Sequence, residues 1–224
     1  TVESHRVPQS PQVHFWQTRS GRTKNLCRFI FFVGNPFITS LTPNLLSTAL
    51  VTAVFSYLVI ARRLPPRLSL PVVSFKVALP TIYFAWFYNG QWNILDDITY
   101  LKGAIRLLDS GYSPLMILTP EGIQVLMVEA GGQKILYYWW NMVAMTLFGK
   151  QYYSPVFLNV TLTFITGVVF DEILRNLEFQ YGYRKWAVVF ALLQWNLVAW
   201  SSVLNIKGIL VVFLTMVGLL GFLK

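Results

Sequence analysis

Residues 45–61 read LLSTALVTAVFSYLVIA and run straight into Arg62-Arg63. A stretch this long without a charge approaches the roughly 20 apolar residues a helix needs to cross a bilayer. It lacks the strict alternation of polar and apolar positions that marks a half-buried strand. Pro43-Asn44 precede it, and the Asn side chain suits a helix N-cap. The stretch predicts a membrane helix that starts at 45 and stops against two arginines.

Outward from there, residues 70–88, 135–148, 155–170, 186–203 and 208–223 repeat the theme. The first of these carries Lys76 and Pro80, and the second (ILYYWWNMVAMTLF) is short and aromatic at its outer end. Composition agrees: 55% of the 224 residues are hydrophobic and 12% charged, where soluble domains carry about 25% charged residues. That balance excludes a disordered chain and an ordinary soluble enzyme, and the single cysteine, Cys27, excludes a disulfide-stapled domain. Period-two patterning is absent throughout, which argues against a transmembrane barrel. The predicted class is all-α: a multipass transmembrane helix bundle with amphipathic surface helices in its first external loop. Two helices fall in 45–89, the loop in 90–134 and four helices in 135–224, and the chain reads as the N-terminal part of a longer one.

The net charge of +9 is uneven, with nine Lys/Arg against Glu3 alone in residues 1–76. On so apolar a chain a basic flank points to anionic lipid headgroups and to orientation, not to nucleic acid. Residues 1–44 form a basic arm followed by an apolar segment, 29–41, interrupted at Asn35-Pro36. That segment fits an interfacial helix, a re-entrant loop or a short crossing equally well. Arg62, Arg63 and Arg67 place the link after the first helix in the cytoplasm. Strict alternation then puts 89–134 outside, Lys150 inside, 171–185 outside and Lys207 inside. The expected location is a bacterial plasma membrane or an ER-type membrane.

Residues 89–134 exceed the roughly two to eight residues usual between bundle helices, so they should have a structure of their own. Ile98, Leu101, Ile105 and Leu108 recur at helical spacing, away from Lys102, Arg106 and Asp109. This predicts an amphipathic surface helix, stopped by Ser110-Gly111 and Pro114. A second short helix should run from Pro120 to about Ala130, before Gly131-Gly132. Asp96 and Asp97 stand at the start of the first helix. Such acids can cap a helix. An adjacent pair can also hold one raised proton affinity, which suits a general base.

The run Asp96-Asp97-Ile98-Thr99-Tyr100, then Ala104, Leu107-Leu108 and Ser110-Gly111, resembles the first external loop of the lipid-linked-sugar transferases of the GT-C fold. The likeness is greatest to the branch holding protein O-mannosyltransferases and lipid A aminoarabinose transferases. It continues through Lys134 to Asn141 (KILYYWWN), Leu147-Phe148-Gly149, Pro155 and the Ser201-Ser202 ahead of Lys207, covering residues of about 90–224. Departures are Asp97, where Glu is commoner, Gln133-Lys134-Ile135 without the usual proline, and the additional apolar segment 45–61.

The resemblance implies transfer of a sugar from a polyprenyl-phosphate donor, with inversion, at the external face. Asp96 would be the general base, Asp97 would orient or tune it, and Lys134 would meet the departing phosphate. Tyr100, Arg106 and Tyr138 complete the implied substrate-binding set. Beyond the donor no cofactor is implied, and the part of a divalent metal stays open. Plainer roles stand beside these: Lys134 snorkelling to the interface, Arg106 on a solvated face, and Tyr137-Tyr138-Trp139-Trp140 as an interfacial belt. Lys76 is expected to snorkel from its apolar helix to the cytoplasmic surface, and Lys207 to signal topology, with a grip on a lipid phosphate as its second reading.

Other chemistry finds little support. His5 and His14 have no partners at metal-ligand spacing, and Asn159-Val160-Thr161 falls in an apolar stretch where glycosylation has no meaning. Two further classes compete with the transferase. One is a transporter or flippase, built on buried charges and broken helices; the other is a noncatalytic subunit of a membrane complex. Membrane lipids and membrane proteins are the expected partners.

Overall fold

Residues 36–88, 95–132, 134–205 and 207–224 are described in a computed structural model, with backbone alone at 36–43, 95–97, 195 and 200. They belong to one unit, Pro36–Lys224. The expected basic arm, apart from its last residues, and the expected apolar segment up to residue 35 lie outside the described residues. The described chain is all helical. It comprises α1 (Pro36–Ile60), α2 (Pro66–Ile82), α3 (Leu95–Asp109), α4 (Pro120–Glu129), α5 (Ile135–Phe148), α6 (Tyr153–Asn176), α7 (Tyr181–Leu193), α8 (Trp195–Ser202) and α9 (Gly208–Phe222). A π-turn, Tyr83–Phe87, prolongs α2, and a 3-10 turn, Pro114–Leu118, links α3 to α4. α1 begins ahead of Asn44, which lies inside the helix, its carbonyl accepting from the Ser47 hydroxyl at 2.9 Å.

α6 is the axis. Every residue from Tyr153 to Phe164 is buried, as expected of a helix that is apolar on all sides. α1, α2, α5, α7, α8 and α9 all pack around it. Val156, Val160 and Phe164 face one core with Val72 and Val77 of α2 and Val188 and Leu192 of α7. Leu162 faces a second core, built from Tyr100, Leu107, Leu126, Tyr137, Met142 and Ile209. Among the described residues, two helices are long and apolar enough to cross a membrane: α2 with its π-turn (Pro66–Phe87), and α6. Residues 44–60 and α9 are apolar but shorter, and the expected span 186–203 is broken at Gln194, whose ψ of 127° interrupts the helix.

Contacts between links fix which helix ends lie together. Arg63, between α1 and α2, pairs with Asp171 near the end of α6 at 3.3 Å, and Arg184 of α7 meets the same carboxylate at 3.1 Å. At the other end Tyr88, just past α2, stacks on Tyr152, just before α6, with centroids 4.9 Å apart. There too Lys150 reaches Asp109, the last residue of α3, at 2.5 Å. The chain thus leaves α2 and enters α6 at the same end.

The expected alternation is corrected accordingly. The predicted third span, residues 135–148, does not carry the chain to the far side, and 171–185 shares an end with Arg62, Arg63 and Arg67. Length explains it: α5 has 14 residues, about 21 Å of helix, against roughly 30 Å of hydrocarbon. α3, the 3-10 turn, α4 and α5 instead form a ledge at the end where α6 begins.

The ledge helices end where expected. Gly111 (φ 85°) closes α3, with Tyr112 N–H donating to Leu107 C=O at 3.1 Å and Gly111 N–H to Leu108 C=O at 3.2 Å. Thr119 caps α4, its hydroxyl accepting from Gly122 N–H at 3.1 Å. The buried stripe of α3 is turned by one position from the expected one. Tyr100, Gly103, Ala104 and Leu107 are buried, while Ile98, Leu101, Ile105 and Leu108 are half-buried. The small residues explain the rotation, because a side chain on Gly103 would collide with the Tyr138 ring.

Candidate functional site

The ledge brings Tyr100, Lys134 and Tyr138 together, and with them a residue to which topology signalling was assigned. Tyr100 is buried edge-on between Tyr137 and Tyr138, at 4.8 and 5.6 Å between centroids. Lys134 Nζ stands 5.2 Å from the centre of the Tyr100 ring, within cation–π range. Lys134 is also the N-cap of α5, with φ 61° and ψ 21°. A lysine in the left-handed region costs of order 1 kcal/mol, and such strain gathers at functional sites.

Lys134 borders a cavity of about 320 Å³ whose other walls are Ile135, Leu136, Tyr137, Lys207, Leu210, Val211 and Leu214. Lys207 is the N-cap of α9. Two lysines and the first turns of two helices, whose N-termini carry a partial positive charge, therefore border one hollow with a mainly aliphatic wall. An anionic head on an apolar tail complements that combination.

Beneath the cavity runs a buried chain of amides. Trp140 N–H donates to Asn159 Oδ1 at 2.9 Å, and Asn159 Nδ2 donates to the Tyr137 hydroxyl at 3.3 Å. That hydroxyl donates to Asn205 Oδ1 at 2.7 Å, Asn205 Nδ2 to Asn141 Oδ1 at 2.7 Å, and Asn141 Nδ2 to the Tyr137 carbonyl at 2.8 Å. Asn141, Asn159 and Asn205 are all fully buried. Only their presence in apolar sequence hinted at this, and the pairing across 64 and 68 residues was not readable.

Asp96 and Asp97 fall in the first turn of α3, one turn before Tyr100, but their side chains are outside the described residues. Arg106 is on the solvated side of α3, its Nε donating to Glu129 at 3.0 Å. Trp139 N–H donates to the Pro114 carbonyl at 2.8 Å, so this member of the expected aromatic belt fastens α5 to the 3-10 turn.

Lys76 corrects another expectation. It does not snorkel but is fully buried, donating to the carbonyl of Leu192 at 3.2 Å, with the Phe164 ring centre 5.9 Å away. Leu192 lies at the end of α7, where the break at Gln194 leaves carbonyls without partners in the helix. The ammonium supplies a donor at the negative end of the α7 dipole. Beside the break, α6, α7, α8 and α9 enclose a mainly apolar groove of about 380 Å³ lined by Gly167, Ala187, Phe190, Leu197 and Met216 among others.

No family model, curated protein or solved structure matches the chain.

Proposed function

We propose that the chain is a multipass membrane glycosyltransferase domain, drawing its sugar from a polyprenyl-phosphate donor at the ledge end of the bundle. The cavity between Lys134 and Lys207 carries this reading. It offers cations and helix N-termini for a phosphate and an aliphatic wall for the first units of a lipid. Orientation follows from charge. Arg62, Arg63, Arg67, Arg175, Arg184 and Lys185 gather towards the end closed by Asp171, which belongs in the cytoplasm, leaving the ledge outside.

In the proposed reaction Asp96 takes the proton of an acceptor hydroxyl or amine, and Asp97 tunes or orients it. The freed lone pair attacks the anomeric carbon from the face opposite the phosphate. The bond from that carbon to the phosphate oxygen breaks, and polyprenyl phosphate leaves with the electron pair. Lys134 and Lys207 stabilise the charge that develops on the leaving oxygen. Tyr100, wedged between Tyr137 and Tyr138, supports Lys134 from below. Arg106 serves the ledge through Glu129 instead of the donor phosphate.

Asp96→Asn, Asp97→Asn and Lys134→Gln, tested singly in membranes with a radiolabelled polyprenyl-phosphate sugar, decide the matter. Asp96→Asn should lower transfer by about 100-fold or more with expression unchanged. Undiminished transfer in that variant overturns the assignment.

The transporter reading has one observation in its favour. A buried lysine meets a broken helix, and both are features of solute-translocating folds. In that case substitution of Lys76, not of Asp96, should abolish function, measured as solute uptake into proteoliposomes.

A further inference from the structure

The amide chain beneath the cavity does more than fill the core. Lys134, Tyr137 and Asn141 are spaced i, i+3 and i+7 along α5, so they form one stripe on that helix. Asn205 stands two residues before Lys207, between the end of α8 and the start of α9, and is itself outside both helices. Lys207 itself is exposed and forms no ion pair among the described residues. As the N-cap of α9, with its carbonyl accepting from Val211 N–H at 3.0 Å, it is placed by that helix start together with the link leading into it. The Asn205 side chain anchors that link to the α5 stripe at both of its polar atoms, accepting from Tyr137 and donating to Asn141 at 2.7 Å each. A hydrophobic residue of the same shape could fill the space at lower desolvation cost, but it would not fix the register between the two segments.

We propose that Asn205 is a positioning residue of the two-lysine cavity: by tying the link before α9 to Tyr137 and Asn141, it holds Lys207 opposite Lys134 so that both ammonium groups meet one phosphate. This rests on the lipid-phosphate reading of the cavity. Asn205 touches no substrate and acts through Lys207. Asn159 and Trp140 extend the same tie to α6, so the anion site is referenced to the axis of the bundle.

The test is a double-mutant cycle on the full chain in phosphatidylcholine nanodiscs. Affinity is measured for a long-chain polyprenyl monophosphate, with inorganic phosphate as competitor and thermal unfolding recorded for each variant. Lys207→Gln and Asn205→Leu should each weaken lipid binding about tenfold, the lower end of what losing an outer hydrogen-bond partner costs an ion site. The double variant should bind no more weakly than Lys207→Gln alone, because Asn205 has no effect once the ammonium is gone. Additive losses, or an Asn205→Leu protein that melts earlier yet binds normally, overturn the proposal. Should Asn205→Leu fail to fold, Tyr137→Phe replaces it in the same cycle, removing one hydroxyl from the tie. An unchanged affinity in Lys207→Gln removes the lipid-phosphate reading itself, whereas loss there with none in Asn205→Leu removes only the positioning role. Inorganic phosphate competing as strongly as the lipid would make the site one for the free anion.

Discussion

At the end of the bundle where α6 finishes, Arg63 and Arg184 converge on Asp171, whose side chain is 3% exposed, while Arg63 and Arg175 reach Glu172. At the end where α6 begins, Lys134 and Lys207 flank a hollow with an aliphatic wall, and Lys134 stands over the Tyr100 ring. The first arrangement answers each cation with a carboxylate and so fastens the α1–α2 link, α6 and α7 into one clamp. The second sets two lysines on the border of one space. Basic residues of the same chain thus do two jobs, and the surroundings rather than the residue type separate them. An ion pair closed within the protein serves stability, and on the reading proposed above the lysines beside the cavity serve capture.

The contrast breaks most visibly at Asp171. Asp171→Ala leaves Arg184 without a carboxylate and Arg63 with Glu172 alone, and should cost about 3 kcal/mol of stability, since removing one member of a buried pair leaves uncompensated charge. Chemical or thermal unfolding in detergent checks this, and lipid-phosphate affinity should stay within about twofold. Loss of affinity without loss of stability would show that the two ends are not independent. Next comes Gly103→Ala on the ledge, where the added carbon meets the Tyr138 ring and forces α3 from α5. Overpacking of this sort costs about 1–3 kcal/mol. Transfer activity should fall along with it, because the helix that moves carries Asp96 and Asp97. The smallest effect is expected for Lys150→Ala. Its pair with Asp109 has side chains 48% and 59% exposed, and removing it should change stability by less than about 0.5 kcal/mol. A larger loss would mean that the ledge, too, depends on ion pairing.

Much of the secondary structure was legible because its signals are local. The bounds of α5, the Gly111 stop of α3 and the Pro120 start of α4 each follow from residues within a turn of the boundary. What failed was information held between distant segments. Hydropathy reads α5 the same whether it crosses a bilayer or lies against α3, and it takes contacts between distant links, the Tyr88–Tyr152 stack and the Lys150–Asp109 pair among them, to show that it turns back. An apolar stripe on α3 was visible, but its rotation depends on how closely Gly103 lets α5 approach. Insertion cost made snorkelling the sensible expectation for Lys76, since its acceptor lies 116 residues further on. For the site, Lys134 and Tyr100 came from motif order and Lys207 stood as a secondary phosphate ligand, whereas its pairing with Lys134 and the asparagine network needed the fold to bring α9 beside α5.

The interruption at Gln194 should leave a mark on related sequences. A substitution that straightened the chain there would return the Leu192 oxygen to the ladder of a continuous helix, and the Lys76 ammonium would lose its acceptor. Positions 76 and 194 are therefore bound to covary: lineages that mend the helix should have surrendered the lysine, and lineages that keep the lysine should keep the kink.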